Sequence, residues 1–183
     1  INKNFVFESN PKIAVAVSGG PDSMALLHLL NNWSKTVKGK INALIIDHKL
    51  RNNSTSEAKN VYSILKILRG RSKILTWRHK EIKKNLQSLA REKRYSLLLN
   101  QCEKDNVKTI LLAHHVDDLY ENFFIRLSRG SGLNGLLSFY ETKKNYKNNL
   151  TIIRPLIHQK KKDLVYTANT IFKFYVKDPS NYN

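Results

Sequence analysis

Apolar positions along the chain alternate between short, nearly continuous runs and longer runs with helical spacing. The short runs predict strands at Lys12–Val17, Ile41–Ile46, Ile74–Trp77, Thr109–Ala113 and Thr151–Arg154. The longer runs predict helices at Asp22–Trp33, Thr55–Arg69, Leu86–Asp105, Asp117–Ser128 and Lys160–Phe172. Strands that alternate with helices form βαβ units, so we expect an α/β fold: an open parallel sheet with helices on both faces.

Polar segments separate these elements, and none of them divides the chain into parts. The loops at Asp47–Ser56 and Phe139–Asn149 are polar, the second one is basic, and the sequence contains no internal repeat. A chain of 183 residues is long enough to form one sizeable core. We therefore expect a single domain over residues 1–183.

The charge of the chain is strongly biased: 32 Lys and Arg against 14 Asp and Glu give a formal net charge of +18. Such an excess favours a polyanionic partner, above all a nucleic acid. The many Lys, Asn and Ile residues are also what AT-rich coding would produce. Charge alone therefore leaves both explanations open.

The single cysteine, Cys102, excludes a disulfide framework within the chain and fits a reducing compartment. No apolar run reaches the length needed to span a membrane, and the first residues carry no signal-peptide pattern. These features predict a cytoplasmic protein with no membrane partner.

The first predicted strand runs into a glycine turn that opens the first helix; residues 13–23 read I-A-V-A-V-S-G-G-P-D-S. Gly19 and Gly20 let a ligand approach the backbone, and the first amides of a helix beginning near Asp22 have no intrahelical partner. Those amides and the helix dipole favour a phosphate. A turn that needs glycine only for its tightness fits these residues equally well. The loop has neither the lysine of the P-loop pattern nor the G-x-G-x-x-G spacing.

A second polar cluster follows the fourth predicted strand, where residues 113–122 read A-H-H-V-D-D-L-Y-E-N. Asp117 and Glu121 lie one turn apart on one helix face, and His114 stands at the strand end. Ligands of open parallel sheets bind beyond the carboxyl ends of the strands, so we expect these groups beside the glycine loop. Carboxylates beside a phosphate predict Mg²⁺, with zinc as the competing metal. Acidic residues in a first helical turn are also ordinary complements of the helix dipole.

A third, glycine-rich segment follows the fourth predicted helix, where residues 126–137 read R-L-S-R-G-S-G-L-N-G-L-L. Its glycines fit a helix C-cap and a turn. Arg129 beside them fits a contact with a phosphate or with an RNA backbone. The residue chemistry leaves both interpretations open.

These segments together resemble one family. S-G-G-P-D-S at residues 18–23 is similar to the signature of the PP-loop ATP pyrophosphatases, which cleave ATP between its α and β phosphates. Six further segments, in this order, resemble the catalytic domain of the tRNA(Ile)-lysidine synthetase family: I-D-H-K-L-R (46–51), A-R-E-K-R-Y (90–95), the cluster at 113–122, R-G-S-G-L-N-G-L (129–136), R-P-L-I (154–157) and D-P-S-N (178–181).

The resemblance implies a Rossmann-like sheet of the PP-loop ATPase, or adenine nucleotide alpha hydrolase-like, type. It also implies an enzyme that uses ATP, free L-lysine and the isoleucine tRNA with anticodon CAU. The C2 carbonyl oxygen of the wobble cytidine is adenylated with release of pyrophosphate, and the lysine amine then displaces AMP, so the product tRNA reads AUA codons. A homodimer is compatible with this activity. Family members commonly continue into C-terminal tRNA-binding domains, which we expect to be absent from this chain.

The resemblance also implies roles for individual residues. The ATP-binding residues would be Ser18, Gly19, Gly20, Pro21, Asp22 and Ser23 around the phosphates, with Asp47 and His48 bordering adenosine. The catalytic residues would be Asp22, His114, Asp117 and Glu121, of which Asp22 and Asp117 would hold Mg²⁺ and His114 would stabilise charge at the α-phosphate. The residues that contact phosphate or RNA would be Arg51, Arg91, Arg94 and Arg129.

The chain departs from the family pattern at three positions: Lys49 stands where Gly is usual, Leu119 where Gln is frequent, and Asn122 where Thr is usual. Two other functions remain as alternatives. One is a PP-loop tRNA thiolase, although such enzymes generally need active-site cysteines and Cys102 lies inside the long predicted helix, away from the strand ends. The other is a catalytically inactive, basic RNA-binding module.

Overall fold

The computed structural model of the chain describes residues 5–67, 71–79, 85–128, 130, 132, 143–145, 149–173 and 175–176. The strands in this part of the chain are β1 (Lys12–Val17), β2 (Lys40–Asp47), β3 (Arg71–Thr76), β4 (Thr109–Leu111), β5 (Lys143–Asn145) and β6 (Thr151–Ile153). The helices are α1 (Pro21–Thr36), α2 (Ser54–Ile67), α3 (Leu86–Lys104), α4 (Val116–Ser128) and α5 (Lys161–Phe172).

The strands form one sheet in the order β3-β2-β1-β4-β6-β5. Strands β1, β2, β3, β4 and β6 are parallel, and β5 pairs antiparallel with β6 at one edge. From β1 the chain first builds outward through β2 and β3, then returns to place β4 on the other side of β1. The carboxyl ends of β1 and β4 therefore flank the point where the strand order reverses, which is where ligands bind in open α/β sheets.

Helices cover both faces of the sheet, as the sequence predicts. Neighbouring residues of β1 point to opposite faces, as expected for a strand with a period of two. Val15 lies in the cluster that includes the apolar sides of α1, α2 and α5. Ala14 lies in the cluster that includes Leu98 and Cys102 of α3. Burial on both faces explains why the strand sequences are almost continuously apolar.

The five predicted strands and five predicted helices are all present, with ends shifted by at most three residues. The prediction of a loop over residues 139–149 is wrong for residues 143–145, which form β5. An edge strand needs only backbone hydrogen bonds on one side, and lysine-rich edge strands are a common way to avoid aggregation. Polarity at Lys143 and Lys144 is therefore compatible with a strand, although it carries no strand signal.

Candidate functional site

The loop that follows β1 is shaped by Gly19, whose φ is +85°. A Cβ at this position would lie 2.5 Å from Cγ2 of Val61 and 2.8 Å from Cγ2 of Val176. Both the backbone conformation and the packing therefore require glycine here. The loop lies against α2 on one side and against the segment after α5 on the other.

The hydroxyl groups of the loop hold it against the start of α1. The Ser23 hydroxyl donates to the carbonyl oxygen of Gly20 (2.9 Å), and the Gly20 N–H donates to Oγ of Ser18 (3.4 Å). Helix α1 begins at Pro21 after the extended residue Gly20, and no described side chain caps it. Its first amides therefore point towards the loop and form a suitable anion site.

Asp47, the last residue of β2, is buried, and both oxygens of its carboxylate accept hydrogen bonds from the chain. The hydroxyl of Ser54 (2.9 Å) and the backbone N–H of Lys49 (3.1 Å) donate to Oδ1. The hydroxyl of Thr55 donates to Oδ2 (2.8 Å). Burial raises the pKa of Asp47, but the hydrogen bonds from Thr55, Ser54 and Lys49 outweigh it and hold the pKa below its ordinary value. Asp47 thus organises the turn that leads into α2.

His48 follows Asp47 in the chain and lies within the electrostatic influence of Arg94 and Arg51. Its backbone oxygen accepts a hydrogen bond from Nε2 of His79 (3.0 Å), and its Nδ1 is buried without a partner among the described residues. Burial, Arg94 and Arg51 lower the pKa of His48 to about 4, although Asp47 opposes the shift. The imidazole is therefore neutral at physiological pH and offers an unused ring nitrogen.

His115, the second histidine after β4, joins the two acidic segments of the site. The backbone N–H of Asp117 donates to its Nδ1 (3.2 Å), so the ring proton of the neutral imidazole resides on Nε2. That Nε2 lies 3.5 Å from a carboxylate oxygen of Asp22 and 3.5 Å from one of Asp118. Burial lowers the pKa of His115, but Asp22, Asp118 and Asp117 outweigh it and raise the pKa above its ordinary value.

Asp118 and His115 also cap the start of α4. The backbone N–H of His115 donates to a carboxylate oxygen of Asp118 (2.7 Å), in the reciprocal pattern of a capping box. Burial raises the pKa of Asp118, and the nearby charges of Asp22 and Glu121 add to the rise, which His115 opposes. The first turns of α1 and α4 thus meet in a half-buried acidic cluster, defined here as Asp22, His115 and Asp118.

His114, the first histidine after β4, belongs to a different environment. Nε of Arg154 donates to Nδ1 of His114 (3.1 Å), and Arg154 itself is buried. Burial lowers the pKa of His114 to about 3, with further contributions from Arg154, Arg91, Arg94 and His115. We define the cationic side of the site as Arg91, Arg94 and Arg154, whose charges act on the neutral His114 and, in the case of Arg94, on the neutral His48.

The structure brings together some of the predicted site residues and not others. Asp22 meets α4 through His115 and Asp118. The side chains of Asp117 and Glu121 are exposed and act on the cluster through their charges, and the backbone N–H of Asp117 also donates to Nδ1 of His115. Arg51 pairs with Glu57 (3.1 Å), and the Arg91 guanidinium lies 5.6 Å from the ring centroid of Tyr95. Arg129 lies outside the described residues, as do most of the glycine-rich segment and residues 178–181.

His115, Asp118 and Arg154 have no role in the sequence-based prediction, although all three lie within the quoted motifs. The signals were the paired histidines at 114–115, the paired aspartates at 117–118 and an arginine directly after a strand. In each pair the sequence alone does not show which member faces Asp22, because that depends on the backbone geometry at the start of α4.

The three departures from the family pattern have structural counterparts. Lys49 has a φ of +53°, a conformation in which glycine carries no steric penalty. Leu119 is buried against Ile157, where a longer polar side chain would need a partner. Asn122 accepts a hydrogen bond from Nε of Arg126 (2.7 Å). Each departure is accommodated within the fold.

The acidic cluster fits Mg²⁺ better than zinc. Oδ1 of Asp22 is buried and accepts no hydrogen bond from the described residues, so a cation would satisfy it. The described residues include no group of three His, Cys, Asp or Glu arranged to hold a metal. Mg²⁺ needs only one or two carboxylates besides phosphate and water, whereas a zinc site takes three or four protein ligands.

A glycine loop at a helix N-terminus, beside the reversal of strand order in a parallel sheet, is the arrangement at which α/β proteins commonly bind phosphorylated ligands. The whole chain, residues 1–183, matches the family of the PP-loop domain, and the chain belongs to that family. Among the described residues, no helix is long and apolar enough to cross a membrane.

Curated relatives are considerably longer than this chain. It is 48% identical over 176 residues to the tRNA(Ile)-lysidine synthase of Orientia tsutsugamushi. The aligned region covers 96% of this chain and 39% of that protein. It is 43% identical over 178 residues to the enzyme of the same name from Wolbachia pipientis. This aligned region covers 95% of this chain and 40% of that protein. The chain thus spans about two fifths of the length of these relatives.

Two solved structures share the fold. The U34-tRNA thiolase NcsA from Methanococcus maripaludis matches 97% of this chain and 62% of its own, with a TM-score of 0.81 and 19% identity. The NH3-dependent NAD synthetase from Campylobacter jejuni matches 92% of this chain and 66% of its own, with a TM-score of 0.53 and 18% identity. At these identities the likeness establishes the architecture alone.

Proposed function

We propose that this chain forms the ATP-dependent catalytic part of a tRNA(Ile)-lysidine synthetase. The observation that carries the proposal is that the glycine loop and the acidic cluster meet at one sheet edge, in a chain that is 48% identical to a relative of that name. The reaction would adenylate the C2 carbonyl oxygen of the wobble cytidine in the CAU anticodon and release pyrophosphate. The amine of free L-lysine would then displace AMP.

The glycine loop would bind the phosphates of ATP. The loop leads directly into the first turn of α1, whose first amides have no intrahelical partner, and the hydroxyls of Ser18 and Ser23 lie 3.3 Å apart beside that turn. Because pyrophosphate is a charged leaving group, positioning and electrostatic stabilisation account for most of the catalysis. Asp47 and His48 would border the adenosine, with Asp47 holding the turn and His48 presenting Nδ1.

The acidic cluster would bind the cationic components. Asp22 and Asp118 would hold Mg²⁺. Asp117 and Glu121 would contribute negative charge at the exposed rim of the acidic cluster. Either pair of carboxylates also suits the ammonium group of lysine. Mg²⁺, when bound, neutralises phosphate charge in the transition state. His115 would keep the two carboxylates at a fixed separation, because its Nε2 lies 3.5 Å from each of them.

The cationic side would face the negatively charged substrates. Arg91 and Arg94 on α3 and Arg51 before α2 would contact phosphate groups of the tRNA or of ATP, and Arg129 is assigned the same role. His114 would stabilise charge at the α-phosphate. The net charge of +18 supports a tRNA partner, because phosphate contacts provide most of the affinity for nucleic acids. A cytoplasmic location and a homodimer belong to the same proposal.

Cys102 argues against the thiolase alternative. Its side chain, on α3, is buried in the core, and burial and Asp105 raise the pKa of its thiol to about 12. A thiolase needs cysteine thiolates, either as sulfur carriers or as ligands of an iron–sulfur cluster, and one buried thiol supplies neither. Cys102 is also the chain's single cysteine.

Incubation of the chain with radiolabelled lysine, ATP and the CAU isoleucine tRNA tests the proposal directly. We expect label in the tRNA, dependent on ATP and absent when the wobble cytidine is replaced by uridine. Asp22→Asn should abolish transfer, whereas His158→Gln, at an exposed histidine, should leave it unchanged. Salt-sensitive tRNA binding without any ATP turnover would instead identify an inactive RNA-binding module.

A further inference from the structure

His114 follows β4 and Arg154 follows β6, and these two strands are neighbours in the sheet. β4 and β6 pair in parallel with Leu111 opposite Ile153, so the segments that follow them run in the same direction. Arg154 is the first residue after β6 and is 5% exposed. Its Nε donates a hydrogen bond to Nδ1 of His114 (3.1 Å). A buried guanidinium is thus directed at one particular nitrogen of the histidine.

This contact determines which ring nitrogen of His114 carries the proton. An arginine side chain is always protonated and only donates hydrogen bonds, so the nitrogen that faces it must accept. A neutral imidazole with Nδ1 as acceptor carries its hydrogen on Nε2. Burial and the charges of Arg154, Arg91, Arg94 and His115 lower the pKa of His114 to about 3, so the ring is neutral at physiological pH.

We propose that Arg154 is a positioning residue that fixes His114 as the Nε2–H tautomer, so that His114 acts as a neutral hydrogen-bond donor at the carboxyl edge of the sheet. This inference rests on the proposed function, in which His114 stabilises charge at the α-phosphate. A fixed donor stabilises developing negative charge without reorientation during the reaction. In this proposal Arg154 acts on the substrate through His114.

The tautomer is measured without any activity assay. The chain is labelled with ¹⁵N-histidine, and long-range ¹H–¹⁵N correlation spectra distinguish protonated from unprotonated ring nitrogens, with His114→Gln providing the assignment. We expect His114 in the Nε2–H form, a mixture of tautomers in Arg154→Met, and partial recovery in Arg154→Lys, which keeps a donor. A proton on Nδ1 in the unmodified chain, or an unchanged tautomer in Arg154→Met, would contradict the proposal.

Kinetics separate positioning from mere structural support. In the lysine-transfer assay, Arg154→Met should lower kcat about 10- to 100-fold with little change in the KM for ATP. The same substitution in a His114→Ala background should add little, because Arg154 acts through His114. Full additivity of the two substitutions would overturn the inference. If the unmodified chain transfers no lysine, the proposed function fails, and the NMR measurement still decides the tautomer.

Discussion

The backbone N–H of Val176 donates a hydrogen bond to the carbonyl oxygen of Gly19 (2.9 Å), and the Val176 side chain packs against the same residue. The segment after α5 is thereby attached to the glycine loop, more than 150 positions earlier in the chain. Val61 of α2 closes the loop from the other side. The conformation of the proposed phosphate site therefore depends on parts of the chain that are distant in sequence.

Gly19→Ala should be destabilising and should remove ATP binding. The new Cβ would enter a region where Val61 and Val176 already lie within 2.8 Å, and the φ of +85° disfavours any side chain. We expect a loss of about 1–3 kcal/mol in the free energy of unfolding. Urea denaturation and isothermal titration calorimetry with ATP measure the two effects.

Gly20→Ala is the matched control within the same loop. Its φ is −68°, and among the described residues its added Cβ would meet only Oγ of Ser18 at 3.5 Å, an ordinary contact. We expect stability close to that of the unmodified chain. Equal stabilities of the two alanine variants would show that packing at Gly19 is not the constraint described here.

Lys49→Gly should be more stable than Lys49→Ala by about 1 kcal/mol. Both variants lose the hydrogen bond from Nζ of Lys49 to the Thr55 hydroxyl (3.0 Å), but only glycine relieves the φ of +53°. The comparison between the two variants isolates the backbone effect, which thermal and urea unfolding measure. A more stable Lys49→Ala would mean that the greater flexibility of glycine in the unfolded chain outweighs the strain.

Asp47→Asn should reduce stability in a pH-dependent manner. The folded pKa of Asp47 lies below its ordinary value of 3.8, so its carboxylate contributes stability at pH values above 3.8. This contribution is lost as the pH falls through the folded pKa. We expect a loss of about 2 kcal/mol at pH 7, because hydrogen bonds to a buried carboxylate disappear. The difference from the unmodified chain should shrink in acid.

Glu92→Gln, at an exposed glutamate beyond the first turn of α3, is the control for this experiment and should change stability little at any pH. Urea unfolding at pH 7 and at several acidic pH values supplies the data for all three proteins. A stability difference for Asp47→Asn that is independent of pH would contradict the role assigned to its charge.

His115→Ala should weaken the start of α4 and separate the acidic cluster. The Asp117 N–H loses its acceptor, which costs about 1 kcal/mol as for other helix N-caps. The pKa of His115 in the folded chain is raised above its unfolded value of about 6.5, so protonation of His115 stabilises the fold. This stabilisation is fully present below the unfolded pKa and is lost as the pH rises through the folded pKa. The destabilisation should therefore be larger at pH 5.5 than at pH 8.5.

Urea unfolding at both pH values measures this difference, with His158→Ala at an exposed position as the control. The lysine-transfer assay should show a larger loss for His115→Ala than the loss of stability explains, because Asp22 and Asp118 lose their common partner. A destabilisation that grows with pH would contradict the assigned sign of the pKa shift.

The fold was largely predictable because buried strands appear in the sequence as short apolar runs and buried helix faces as apolar residues at helical spacing. β1 was predicted with its observed ends because its apolar run stops at Ser18, before the two glycines. β5 was missed because an edge strand needs backbone pairing rather than apolar side chains. The segment that places Val176 on Gly19 also escaped prediction, because a single backbone hydrogen bond between distant residues has no periodic signal.

The sequence by itself determined the α/β architecture, the glycine loop at the end of β1 and the acidic and histidine residues at the end of β4. Local spacing is sufficient for these, because helices, strands and their turns depend on neighbouring residues. Only the tertiary structure decided that His115 and not His114 meets Asp22, that Asp118 and not Asp117 completes this cluster, and that Arg154 faces His114. Adjacent residues at a helix start point in different directions, so the contacts between strand ends decide which side chains meet.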